Sequence, residues 1–157
     1  MVSQYMRNKN NIFLLIGCPA SGKSYFRKKY LNDYKYISCD EIREREFGFI
    51  RTYEIREKTT FIIKNEILGL VSEEKDFVID STYFNSVNER KFLFEEISNY
   101  NIIAIFINVS FYKIVIQNTR RPPHRLISFR MLRKFYNEIQ PPEKEEGFGL
   151  IFDIQFR

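Results

Sequence analysis

Eight consecutive residues, Gly17-Cys18-Pro19-Ala20-Ser21-Gly22-Lys23-Ser24, fit the pattern G-x-x-x-x-G-K-[ST]. That spacing captures phosphate. Gly17 and Gly22 let backbone N–H groups curl around phosphate oxygens, with Ala20 and Ser21 contributing to the same cradle, and a following helix adds its positive dipole end. Lys23 can reach the β- and γ-phosphates of a nucleotide, and the Ser24 hydroxyl can hold Mg²⁺. The competing reading is an ordinary glycine-containing turn.

Three further segments carry groups of the right chemistry. Ser38-Cys39-Asp40-Glu41-Ile42-Arg43 places a carboxylate and a guanidinium one helical turn apart. Asp40 could take a proton from an attacking hydroxyl, and Arg43 could hold a phosphate of the acceptor. The same residues also suit a helix start, with Ser38 and Glu41 as a capping box or Asp40 as the N-cap. Asp80 ends the apolar run Phe77–Asp80 and could order Mg²⁺ through its waters, or merely cap the next turn. Gln117-Asn118-Thr119-Arg120-Arg121-Pro122-Pro123 joins paired arginines to paired prolines, as in a lid that sets an arginine on a transferring phosphoryl group. A charged helix–helix turn has the same composition. His124, the only histidine, has no second His or Cys beside it and reads as a surface residue.

These groups need a scaffold, and the pattern supplies one. Short apolar runs at Ile12–Gly17, Tyr36–Ser38, Phe77–Asp80, Ile102–Asn108 and Leu150–Phe156 alternate with helix-compatible stretches at 23–32, 41–48, 54–72, 87–99, 110–119 and 125–136. Alternation of this kind predicts an α/β fold, a central parallel sheet of about five strands flanked by helices. Ser86-Val87-Asn88-Glu89 marks a helix start as a capping box, Gly69 weakens the long 54–72 stretch, and Pro122-Pro123 and Pro141-Pro142 bracket the last helix. In such sheets ligands bind beyond the carboxyl ends of the strands, where Gly17, Asp40 and Asp80 all fall.

The chain has 157 residues and a net charge of +5, which suits one domain, 1–157, with a substantial core. From Lys113 to Asn137 there are seven Lys and Arg and no acid, which predicts contact with a polyanion; a solvated helix face is the alternative. Two cysteines, Cys18 and Cys39, make neither a disulfide framework nor a zinc spacing. No signal peptide or membrane span is visible, so an intracellular, cytoplasmic location without membrane attachment is expected. Nothing in the pattern reports an oligomeric state.

Taken in order, the phosphate loop, Ser-x-Asp-x-x-Arg at 38–43, Asp-Ser-Thr at 80–82 and the arginine-bearing segment resemble the kinase domain of phage-type and animal polynucleotide 5′-kinases, a P-loop fold with a lid. The tail is similar too: Met131-Leu132-Arg133-Lys134-Phe135-Tyr136, Pro142, Glu146-Gly147-Phe148 and a last strand. The resemblance implies transfer of the γ-phosphate of ATP, with Mg²⁺, to the 5′-hydroxyl of a nucleic acid. It implies Lys23 and Ser24 on ATP and Mg²⁺, Asp40 as general base, Arg43 on the phosphate 3′ of the acceptor nucleoside, and Arg121 as the lid arginine on the ATP phosphates. Gln117 stands where a first lid arginine is expected, so either Arg120 substitutes for it or the lid is weaker. Asn85 is displaced from the Thr-Asn that would follow the strand acid. No Asp-x-Asp-x-Thr phosphatase motif and no Lys-x-Asp-Gly ligase motif is present, so the resemblance is to the kinase module alone. A small-molecule kinase acting on a nucleoside, sugar or antibiotic hydroxyl would keep Asp40 but not need Arg43 on a phosphate. A nucleotide-binding switch is the third class; without an Asn-Lys-x-Asp signal after the loop, a GTPase is disfavoured. DNA and RNA acceptors are not distinguished by any motif.

Overall fold

Strand β1 (Asn10–Ile16) runs straight into the phosphate loop and helix α1 (Lys23–Tyr30). The structure, a computed structural model, describes residues 9–156. The chain continues through β2 (Lys35–Ser38), α2 (Cys39–Phe47), the long α3 (Tyr53–Ser72), β3 (Phe77–Asp80), a 3₁₀ turn (Thr82–Asn85), α4 (Val87–Glu96), β4 (Tyr100–Ile107), α5 (Phe111–Thr119), a second 3₁₀ turn (Pro123–Arg125), α6 (Phe129–Glu138), a third 3₁₀ turn (Lys144–Glu146) and β5 (Leu150–Ile154). The five strands form one sheet in the order β2-β3-β1-β4-β5, every pair parallel. The fold class expected from the sequence is the one observed.

Alternation along β1 sorts the core into two layers. Ile12, Leu14 and Ile16 pack on one face with Ile42 of α2, Ile63 and Ile67 of α3 and Leu93 of α4. Leu15 faces the other way, toward Val78, Ile105, Ile114 of α5 and Leu132 of α6. A period of two sends neighbouring side chains to opposite faces, so both faces of the sheet are covered.

Two helix starts differ from the sequence expectation by more than one residue. Helix α2 begins at Cys39 because Ser38 is its N-cap, accepting from Glu41 N–H, so Asp40 lies in the first turn rather than capping it. Helix α6 begins at Phe129, capped by Ser128, not at residue 125. Pro122 and Pro123 open a tight 3₁₀ turn instead, and Leu126 and Ile127 imitate helical spacing without being helical. Gly69 does not break α3.

Candidate functional site

The carboxyl ends of β1, β2 and β3 open onto one cleft of about 1500 Å³, lined by the phosphate loop, Asp40, Asp80 and the segment around Arg121. The loop is shaped by close approach. A Cβ on Gly17 would lie 2.8 Å from Ser21 Oγ and 3.0 Å from the Ile107 carbonyl, so a side chain there has no room. Gly22, at φ 99°, caps α1 in the left-handed region. Ala20 occupies the same region at φ 64°, a strain of about 1–2 kcal/mol of the kind that clusters at ligand clamps. Lys23 is buried, and its Nζ donates to the carbonyls of Gly17 and Cys18, both at 2.8 Å. Burial pushes its ammonium below the ordinary lysine value, against an opposing pull from Asp80. Ser21 Oγ is buried with no hydrogen-bond partner among the described residues, and Ser24 is exposed at the start of the helix. Lysine, orphaned hydroxyl and exposed serine fit a nucleotide's phosphates with an accompanying Mg²⁺. Among the described residues no three His, Cys, Asp or Glu gather into a protein-only metal site. Burial raises the Cys18 thiol to about 11, so it stays a neutral packing group.

Opposite the loop, the structure brings Asp40, Arg43 and Arg121 together. Arg43 Nη2 donates to Asp40 Oδ1 at 2.6 Å, and Arg121 Nη2 lies 3.6 Å from Asp40 Oδ2. Burial pushes the Asp40 carboxyl up, but Arg43, Arg121 and Arg125 together outweigh it and hold it below the ordinary carboxylate value. Asp40 is therefore ionised and able to accept a proton. Two nitrogens of this cluster, Arg43 Nε and Arg121 Nη1, are buried without a partner among the described residues. Unused guanidinium donors in a cleft are the complement of an anion.

The segment that carries Arg121 leans on α2. Arg125 makes a two-pronged pair with Glu44 of α2, at 2.7 and 2.6 Å. His124, exposed as expected, stacks on Phe49 with ring centroids 4.2 Å apart, and its Nε2 lies 3.7 Å from Glu44. Asn118 ties the segment off internally, donating to the Ile127 carbonyl and accepting from Ile127 N–H. Gln117 Oε1 is buried without a partner among the described residues, while Arg120 is exposed at the cleft wall.

No family model matches the sequence, and no curated protein matches it. Solved structures do. An inferred kinase from Chloroflexus aurantiacus J-10-fl superposes with a TM-score of 0.71 at 14% identity, over 94% of this chain and 88% of that one. A chain of the Pnkp1/Rnl/Hen1 RNA repair complex gives 0.64 at 15% identity over 85% of this chain and 47% of that one, so the matched region is under half of that component. A gluconokinase from Sinorhizobium meliloti 1021 gives 0.61 at 14% identity, over 95% and 84%. The fold is that of the P-loop kinases.

Several contacts that build the site carry no signal in the sequence. Asp80 is buried at its strand end, and Arg27 of α1 donates to its Oδ2 at 3.3 Å. Arg27 also reaches Glu41 at 3.4 Å and lies 3.5 Å from the centre of the Tyr36 ring. Asn85 accepts from Gly17 N–H and donates to the Gly17 carbonyl, at 3.1 and 2.9 Å, clamping the first residue of the phosphate loop. The basic run from Lys113 to Asn137 is partly occupied internally: Arg125 by Glu44, Lys113 by the Phe156 carbonyl, and Arg133 over the Phe111 ring. The compensating acid comes from α2, which a count along the run cannot see. Among the described residues no helix is long and apolar enough to cross a membrane.

Proposed function

We propose that this protein transfers the γ-phosphate of ATP to the 5′-hydroxyl of a DNA or RNA strand. The observation that carries the reading is Asp40 held ionised between Arg43 and Arg121, each with a buried nitrogen to spare. A base alone would serve any hydroxyl. A base with an unfilled guanidinium beside it suits a hydroxyl whose carrier also bears a phosphate.

In the transfer the acceptor oxygen forms a bond to the γ-phosphorus as its proton passes to Asp40. The bond from that phosphorus to the β,γ-bridging oxygen breaks, and ADP leaves. Lys23 exchanges its two loop carbonyls for phosphate oxygens, and Arg121 turns from Asp40 toward the charge developing on the transferred group. Mg²⁺, when bound, neutralises phosphate charge; Ser24 would hold it directly and Asp80 through water. Arg120, exposed at the cleft wall, would assist Arg121 if it substitutes for the lid arginine that Gln117 displaces.

A second reading has its own support, because the gluconokinase and a sugar kinase from Janibacter sp. HTCC2649 share the fold at similar scores. The test is transfer of labelled γ-phosphate to a 5′-hydroxyl oligonucleotide, in parallel with free nucleosides and sugars. Labelled oligonucleotide supports the proposal. Labelled sugar or nucleoside with unlabelled oligonucleotide replaces it with the small-molecule reading.

A further inference from the structure

The cleft is larger than its two reacting groups need. Small-molecule pockets run to about 300–1000 Å³, and this one is about 1500 Å³. The excess does not end at Arg43. Its lining continues onto the turn before α3 and the first turn of that helix, through Arg51, Thr52, Tyr53 and Arg56.

The groups on this wall have a consistent character. Thr52 caps α3 by accepting from Ile55 N–H at 3.2 Å, which fixes Tyr53 as the first helical residue. Arg56 comes three residues later and so shares a face with Tyr53. The Tyr53 ring is 77% exposed. Arg51 has no ion pair among the described residues, and burial and the nearby Arg43 both push its guanidinium down. Arg56 has only a long contact to Glu89, 3.4 Å, with its own side chain 60% exposed. Such a pair holds weakly and yields readily to another anion. Beginning at the orphaned Arg43 Nε, the wall therefore offers three guanidiniums interleaved with an uncovered aromatic face. Arginines for a backbone and an open ring for bases are the chemistry that grips single-stranded nucleic acid without reading its sequence.

We propose that the wall from Arg43 through Arg51 and Tyr53 to Arg56 is the track for the acceptor strand, taking single-stranded nucleic acid downstream of its 5′ end with phosphates on the arginines and a base on Tyr53. This rests on the polynucleotide-kinase reading and adds to it a substrate form: an unpaired 5′ end at least two nucleotides long, in any sequence.

Two measurements test it on the whole chain. One is the ratio of kcat/KM for a 5′-hydroxyl oligothymidylate to that for a thymidine 3′-monophosphate. The other is binding of the same oligothymidylate, labelled at its 3′ end, by fluorescence anisotropy across a salt series. The expected ratio is about tenfold or more, falling about five- to tenfold in Arg51→Ala and in Tyr53→Ala and surviving in Tyr53→Phe. The dependence of log affinity on log salt becomes shallower by about 0.7 in Arg51→Ala, one single-strand phosphate contact. A wild-type ratio near one, or variants that depress both acceptors in parallel, overturns the track while leaving the kinase reading standing. Binding that depends on Arg51 and Tyr53 without any transfer to either acceptor sinks the kinase reading and keeps the track. Absence of both binding and transfer overturns the two together.

Discussion

Replacing Asp40 by Asn separates the roles proposed for it. The amide keeps the shape of the carboxylate but can neither take a proton nor balance the guanidiniums at 2.6 and 3.6 Å. Loss of a general base costs about 10²–10⁴ in rate, or about 2.7–5.5 kcal/mol of barrier. ATP affinity should hold or improve, since Arg121 is released from its present partner and a negative charge leaves the cleft. Folding should change little. The Asp40 side chain is 36% exposed, so its ion pairs are screened and contribute under about 1 kcal/mol. That contribution has a definite sign. Because the folded carboxyl titrates below its ordinary value, the stabilisation is present above the unfolded pKa and is lost as pH falls through the folded one. For the same reason the acid limb of kcat/KM in the wild type lies below the ordinary carboxylate range. In Arg121→Ala it moves up, because burial then meets less opposing charge. The assays are single-turnover γ-phosphate transfer at saturating ATP, calorimetric ATP binding and urea unfolding. An Asp40→Asn rate within about threefold of wild type refutes Asp40 as the base. A loss confined to ATP affinity would instead make it a holder of arginines.

Four further outcomes are expected. Gly17→Ala forces the phosphate loop away from Ser21 and the Ile107 carbonyl, and calorimetry should show ATP affinity falling by about tenfold or more. Arg90 is fully buried, bonded to both oxygens of Glu146 and to the Phe84 and Gln140 carbonyls; Arg90→Leu strands Glu146 and should cost about 3–5 kcal/mol in urea unfolding, much of it recovered with Glu146→Leu added. Gly69→Ala meets nothing within 4 Å and should raise stability by up to about 1 kcal/mol, read as a higher urea midpoint. Arg125→Ala removes the tie between lid and α2, and should lower turnover about fivefold with ATP affinity nearly unchanged.

A physical line separates the features that the sequence announces from those it conceals. Gly17 to Ser24 is legible because its chemistry is local: glycines, lysine and serine act within one turn between a strand and a helix. The central strands β3 and β4 are legible because parallel strands covered on both faces are nearly all apolar, whereas the edge strands β2 and β5 are shorter apolar runs mixed with exposed positions. Asp40, Arg43 and Arg121 can be named through a resemblance, but their meeting depends on α2 and the lid lying against each other. Arg27 with Asp80, Asn85 with Gly17, and Arg90 with Glu146 stand 53, 68 and 56 residues apart. Pairings at that range leave no periodicity or spacing to read. The start of α6 misleads for the opposite reason, since Leu126 and Ile127 carry a local helical signal that the paired prolines override.

The pairing of Asp40 with Arg43 and Arg121 has a consequence for the protein when ATP arrives without an acceptor. Water can enter the same cleft and is itself a nucleophile. It would meet a carboxylate still paired with Arg43 at 2.6 Å, and hence a weakened base, with nothing to draw that guanidinium aside. An acceptor that carries its own phosphate does draw it aside, and so frees the base at the moment it is needed. On the proposed kinase reading the resting geometry acts against wasted turnover, and idle ATP hydrolysis should run far slower than transfer.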